Sequence, residues 1–371
     1  MPESKILKIF ISYEGIIFTL MFFVMFSLTN LIMIDFSGIR EVVTSQNPLI
    51  IIILSIITAY LLNHSKIVFS KHKNIFLCIW GLYVLSIIIS MFVNQNILID
   101  EIIILLMVSF VMLFQLPRQL LFFIIMGALF SLPWLLLSEI TLNESGATAV
   151  LVITAGLMMI PKTNRAVLLY LLPASALLLT VTTSRTSLIM YAVIMLIYLC
   201  YINLFVIDRK KGTRYLAAAA AVLVSITVIF IKPLYQFFTV ESITADGIDL
   251  NELTSTRFNV WLEVVRESSL FGHGLSYLDF SMLPHAHNIF IDTLGRYGII
   301  TTVLFMIVIL SASIIGFIVH TTPVIGIYML GFIMIGLTEY NYLFLFDYCA
   351  PIIILFVFIS YSLTVFSKYK F

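Results

Sequence analysis

The sequence predicts an all-α polytopic membrane protein of about 12 transmembrane helices, with one large extracytoplasmic loop that contains short helices. Three observations carry this expectation. Of 371 residues, 61% are hydrophobic and only 11% charged, whereas soluble domains carry about 25% charged and about 45–50% apolar residues. Apolar runs approaching the roughly 20 residues that a bilayer core requires recur from end to end. The polar residues gather instead in one segment, about Thr239 to Tyr297.

Taken in order, apolar runs between polar breaks place spans near 10–34, 47–62, 75–92, 97–116, 120–140, 146–160, 166–183, 187–207, 216–238, 298–319, 324–340 and 348–366. The first run, Phe10–Ile34, is too long for a signal-peptide core of about 7–15 residues and reads as the first span. The chain thus divides into helices over 1–238, an extracytoplasmic loop over 239–297 and three further helices over 298–371. Cys78, Cys200 and Cys349 all sit in apolar runs, which argues against a disulfide framework and a cysteine metal site. A net charge of +1 singles out no partner class, and no nucleic-acid partner is expected.

Orientation follows from the basic residues, which concentrate on the cytoplasmic side. With the N-terminus in the cytoplasm, fourteen of the twenty fall inside, among them Lys66, Lys71, Lys73, Arg118 and the Arg209–Arg214 cluster. Both termini are then cytoplasmic. Arg40, Arg185, Lys232, Arg257, Arg266 and Arg296 remain outside, four of them in or beside the polar segment.

Within that segment, "STRFNVWLEVVRESSLFGHG" reads as a helix with an apolar stripe of Phe258, Trp261, Leu262 and Val265, which would lie on the membrane surface or on the span bundle, with Arg257 at its first turn. Ser255 or Thr256 can cap its start, and Gly272 and Gly274 can end it. "HNIFIDTLGRYG" reads as a second short helix leading through Gly295 and Gly298 into span ten. Three of the six histidines, His273, His285 and His287, lie between these helices. Histidines in a solvated loop are commonly polar surface. The "HAH" pair could chelate zinc with Asp279, Asp292 or His273, but no recognised ligand spacing links them.

The arginines also allow two readings. Arg257 and Arg266 fit a helix surface, with Glu263 three residues from Arg266. Arg185, in "TVTTSRTSLIM", lies between two apolar spans with no acidic residue nearby in sequence. Such a guanidinium either snorkels to the headgroups or marks a substrate path or buried partner. Glu14, Asp100, Glu101 and Glu339 are available as partners within or near the spans. Fixed guanidiniums and a titratable imidazole beside the outer leaflet suit a lipid diphosphate. Arginine binds phosphate oxygens bidentately and keeps its charge, and histidine can accept a proton from a sugar hydroxyl near neutral pH.

"TTSRTS" at an outer turn, "TRFNVWLEVV" before "LFGHG", and "HNIFIDTLGRYGI" entering a span together resemble the O-antigen polymerase and O-antigen ligase family over about residues 180–300. The resemblance implies a C-type glycosyltransferase fold, acting without a metal or other cofactor. Its substrate would be an undecaprenyl-diphosphate-linked oligosaccharide at the outer face of the bacterial cytoplasmic membrane. It places the catalytic histidine on His287 and the diphosphate-binding arginines on Arg185 and Arg257, with His285, Asn288 and Arg296 as secondary candidates. His285 is a departure, because it adds a second imidazole beside the working one. The outer loop is also short for a ligase that must accept a lipid A-core acceptor, which favours a polysaccharide polymerase. The ligase is the alternative, and a secondary transporter or flippase is a third reading of twelve spans. The lipid bilayer is the expected surroundings, and the resemblance allows a chain-length regulator protein as a further partner.

Overall fold

The computed structural model describes residues 12–32, 47–137, 142–160, 164–181, 184–205, 243–244, 247–248, 257–278, 286–318, 323–337 and 349–366. In chain order its α-helices are α1 (Tyr13–Ile32), α2 (Asn47–His64), α3 (Lys71–Val93), α4 (Ile99–Leu113), α5 (Arg118–Ser131) and α6 (Leu142–Gly156). They continue as α7 (Asn164–Val181), α8 (Arg185–Phe205), α9 (Arg257–Arg266), α10 (Ile289–Ile318), α11 (Pro323–Gly336) and α12 (Cys349–Phe366). Short 3-10 turns extend α5 over Leu132–Leu137 and α6 over Leu157–Met159, and a third spans Leu275–Leu278. A two-residue antiparallel pair, β1 (Ile243–Thr244) with β2 (Gly247–Ile248), is the strand structure among the described residues.

Helices occupy eleven of the twelve predicted spans, and the stretch 216–238 lies outside the described residues. Six are long and apolar enough to cross a membrane: α1, α2, α3, α5 with its 3-10 extension, α10 and α12. Apolar stretches of α6, α7, α8 and α11 are shorter.

α12 lies deepest. Ile352, Ile353, Ile354, Leu355 and Phe358 are wholly buried, as expected of a helix that is apolar on every side. By contrast, α3, α7 and α10 turn Leu82, Leu85, Leu169, Leu172, Val303, Leu310 and Ile314 outward. Water would penalise so much exposed apolar surface, whereas lipid does not.

Side-chain ties distinguish the two ends of the bundle. At one end the Lys73 ammonium donates to the carbonyls of Leu113 (2.7 Å) and Phe114 (3.2 Å), filling acceptors left open where α4 stops. Nearby, Leu116 N–H donates to Thr364 Oγ1 at 3.2 Å, and the His72 ring meets Phe366. α3 runs 23 residues from this end, about 34 Å at 1.5 Å per residue. Its far end holds the segment that follows α9. Lys66, Lys71, Lys73 and Arg118 cluster around the end opposite that segment.

Candidate functional site

The segment after α9 docks onto α10 through backbone contacts. His273 N–H donates to Gly295 O and Gly274 N–H to Arg296 O, both at 3.0 Å. Ile299 N–H reaches Ser269 O at 3.0 Å, and Ile300 N–H reaches Leu270 O at 3.4 Å. Two glycines permit this seam. Gly298 breaks α10 with φ +89° and ψ 178°, separating 289–297 from the membrane-spanning remainder. A Cβ there would lie 2.3 Å from Gly272 N, and a Cβ on Gly272, at φ +70°, would lie 2.3 Å from Arg296 O. The Phe271 carbonyl is anchored in turn to α3, accepting from Ser90 Oγ (2.6 Å) and Asn94 Nδ2 (3.0 Å).

A small separate core supports the loop: Val260 and Val264 of α9, Leu278 and Ala286, with Trp261, Tyr277, Ile291 and Leu294 packed against it. The expected stripe divides here, with Trp261 packed on this core and the rest of it turned away. Leu262 and Val265 face outward, and Val260 and Val264 face in. Both sets obey helical spacing, but only the second lies over α10. His273 faces solvent, its Nε2 2.6 Å from Glu267 O and its ring stacked on Tyr277 at 4.5 Å. Tyr277 Oη donates to Glu267 Oε2 at 2.6 Å. Desolvation, and then the hydrogen bond and charge of Glu267, hold that phenol above its ordinary pKa.

His287 stands at the entrance to α10 in the left-handed region, φ +49°, which few residues other than glycine adopt. Its neighbours impose the conformation. Before it, Ala286 is clamped at both backbone groups: its N–H donates to Asp292 Oδ1 at 3.2 Å, and its carbonyl accepts from Trp261 Nε1 at 2.6 Å. After it, Asn288 caps α10, its Oδ1 accepting from Phe290 N–H (3.0 Å) and Ile291 N–H (3.3 Å). The half-buried imidazole thus leaves a backbone fixed on either side. It also interacts electrostatically with the buried carboxylate of Asp292.

Asp292 joins this frame to Arg296, whose Nε lies 3.3 Å from its Oδ2, with both side chains buried. Arg296 Nη1 also donates to Leu275 O. Behind the pair, Tyr297 Oη donates to Glu101 Oε2 of α4 at 3.0 Å, and Arg296 acts electrostatically on the same carboxylate. The buried acid Glu101 is thus partnered by Tyr297 in the field of Arg296, and Glu14 instead approaches His64 Nε2 at 3.3 Å.

The structure brings His287, Asn288 and Arg296 to one helix entrance. Arg185 and Arg257 each begin a helix, α8 and α9. His285, Asp279, Glu339 and the expected caps Ser255 and Thr256 lie outside the described residues. Asp292, Tyr297 and Trp261 complete the frame, Asp292 as the partner of Arg296 and Ala286 rather than as the metal ligand the sequence allowed. Only the i, i+4 spacing of Asp292 and Arg296 signals any of it in the sequence.

Residues 166–306 match the family model described as O-antigen ligase. That stretch of the chain is similar to an O-antigen ligase domain. Its limits run from α7 into the spanning part of α10, so they enclose Arg185, Arg257, the glycine seam and the His287 entrance. The family comprises glycosyltransferase-like ligases and polymerases, which supports an enzyme. No curated protein matches the chain.

Proposed function

We propose that the O-antigen ligase-type domain makes this protein a polysaccharide polymerase. It transfers an undecaprenyl-diphosphate-linked glycan onto a lipid-linked repeat unit at the outer face of the bacterial cytoplasmic membrane, within a twelve-span C-type fold whose termini are cytoplasmic. The observation that carries the reading is the preorganised imidazole: His287 sits between a doubly clamped Ala286 and a capping Asn288. A general base needs a fixed position beside the proton it removes.

In this reading His287 takes the proton of an acceptor sugar hydroxyl as that oxygen bonds to the donor's anomeric carbon. The bond from that carbon to the diphosphate breaks, and its electron pair leaves with undecaprenyl diphosphate. Arg185 and Arg257 offset the departing negative charge, a role that guanidiniums fill without proton exchange. Asp292 and Arg296 hold the base in place, and no resident metal is invoked.

The short outer loop favours the polymerase over the ligase. Deleting the gene and resolving the surface polysaccharide on a gel separates the two. Single repeat units reaching the surface support the polymerase, whereas full-length polymer left on its lipid carrier identifies a ligase.

A further inference from the structure

The surface of α9 is divided into three sectors rather than two. Val260, Trp261 and Val264 face the small core. Successive residues advance about 100° around a helix, so the rest of the surface separates into two flanks. Phe258, Leu262 and Val265 form one, wholly apolar. Asn259, Glu263 and Arg266 form the other, wholly polar. Leu262 and Val265 are 37% and 51% exposed, so the apolar flank is not covered by the described residues. A helix wetted on all its outer surface gains nothing from such a division. One lying along an apolar surface requires it.

The neighbouring chain shows what that surface is. Three residues beyond α9, Ser269 and Leu270 accept hydrogen bonds from Ile299 and Ile300, where α10 enters its membrane-spanning part. Leu270 is 59% exposed, and beside it Ile299, Ile300 and Val303 turn outward as the start of the lipid-facing stripe of α10. Through Leu270, the exposed apolar surface of the loop therefore reaches the outward apolar stripe of a helix long and apolar enough to cross a membrane.

We infer that α9 is an interfacial helix seated in the outer leaflet, with Phe258, Leu262, Val265 and Leu270 in the acyl boundary and Asn259, Glu263 and Arg266 in water. The partner is the bilayer surface itself. This seat fixes the depth of the loop. The placement does not depend on the reaction proposed above, so either can fail without the other.

The test uses the full-length protein with Cys78→Ser, Cys200→Ser and Cys349→Ala, reconstituted in phosphatidylethanolamine–phosphatidylglycerol vesicles. A nitroxide is attached singly through Leu262→Cys, Val265→Cys or Glu263→Cys, and its collisions with oxygen and with a water-soluble nickel chelate are measured. Labels at 262 and 265 should favour oxygen several-fold more than the label at 263, before any substrate is added. Equal ratios at all three positions would overturn the inference. So would shielding of 262 and 265 from both reagents, as in a contact between copies, or shielding that arises only on adding undecaprenyl diphosphate. Two independent positions on the flank, each screened for monodisperse insertion, keep one poorly folding variant from deciding the result.

Discussion

Asp292→Ala removes the carboxylate that faces Arg296 at 3.3 Å and accepts the Ala286 N–H at 3.2 Å. The two side chains are only 8% and 6% exposed, so water does not replace the lost partner. Breaking one side of a buried pair costs about 3–5 kcal/mol, and an unsatisfied buried N–H costs about 1–3 kcal/mol. Arg296 keeps the Leu275 carbonyl and its attraction to Glu101, which places the total near the low end, about 4 kcal/mol. Adding Arg296→Met removes the uncompensated charge but leaves the Leu275 carbonyl unpaired. The double variant should therefore recover about 2 kcal/mol relative to Asp292→Ala. Thermal unfolding of purified protein, in one detergent at one scan rate, should order the midpoints as wild type, double variant, then Asp292→Ala. A single variant as stable as wild type, or a double variant below the single, would refute the ion pair as the element that holds the frame.

Gly298→Ala should undock the loop, because the new Cβ would press on Gly272 N and Leu270 O at a φ that costs of order 1–3 kcal/mol for a non-glycine residue. Faster hydrogen exchange over residues 269–274 checks this, and unchanged protection contradicts it. Arg185→Lys and Arg257→Lys should each lose most polymer formation at normal membrane levels, since lysine keeps the charge without the bidentate fork. Wild-type polymer from both variants would remove the diphosphate clamp from the account. A topology reporter fused after Asp249 should read as extracytoplasmic and one after Lys211 as cytoplasmic. Opposite readouts would put the loop on the wrong side of the membrane.

Helix positions were legible because apolar run length and polar breaks are local properties of the chain. The separation of 289–297 from span ten was legible for the same reason, since glycines punctuate it. Asn288 as a cap likewise follows from its residue type at a helix start. The inward face of α9 was not legible. Phe258–Leu262–Val265 and Val260–Val264 satisfy the same periodicity, and the choice between them is made by α10 beneath. Nor could spacing reveal that Glu101 meets Tyr297 across 196 positions, or that Trp261 reaches the Ala286 carbonyl. The i, i+4 spacing of Asp292 and Arg296 permits a pair, but the same spacing suits an exposed one, and burial is what gives this one its weight.

The role proposed for His287 is that it, and not its neighbour His285, supplies the base. It is tested most directly by polymer formation from purified lipid-linked repeat units with His287→Ala and His285→Ala, each with and without EDTA. A general base contributes typically about 10²–10⁴-fold, so His287→Ala should leave only traces of polymer. His285→Ala should retain substantial product, and chelator should change neither result. Retention by His287→Ala with loss on His285→Ala would move the base by two residues, and loss with EDTA would restore a metal to the "HAH" pair.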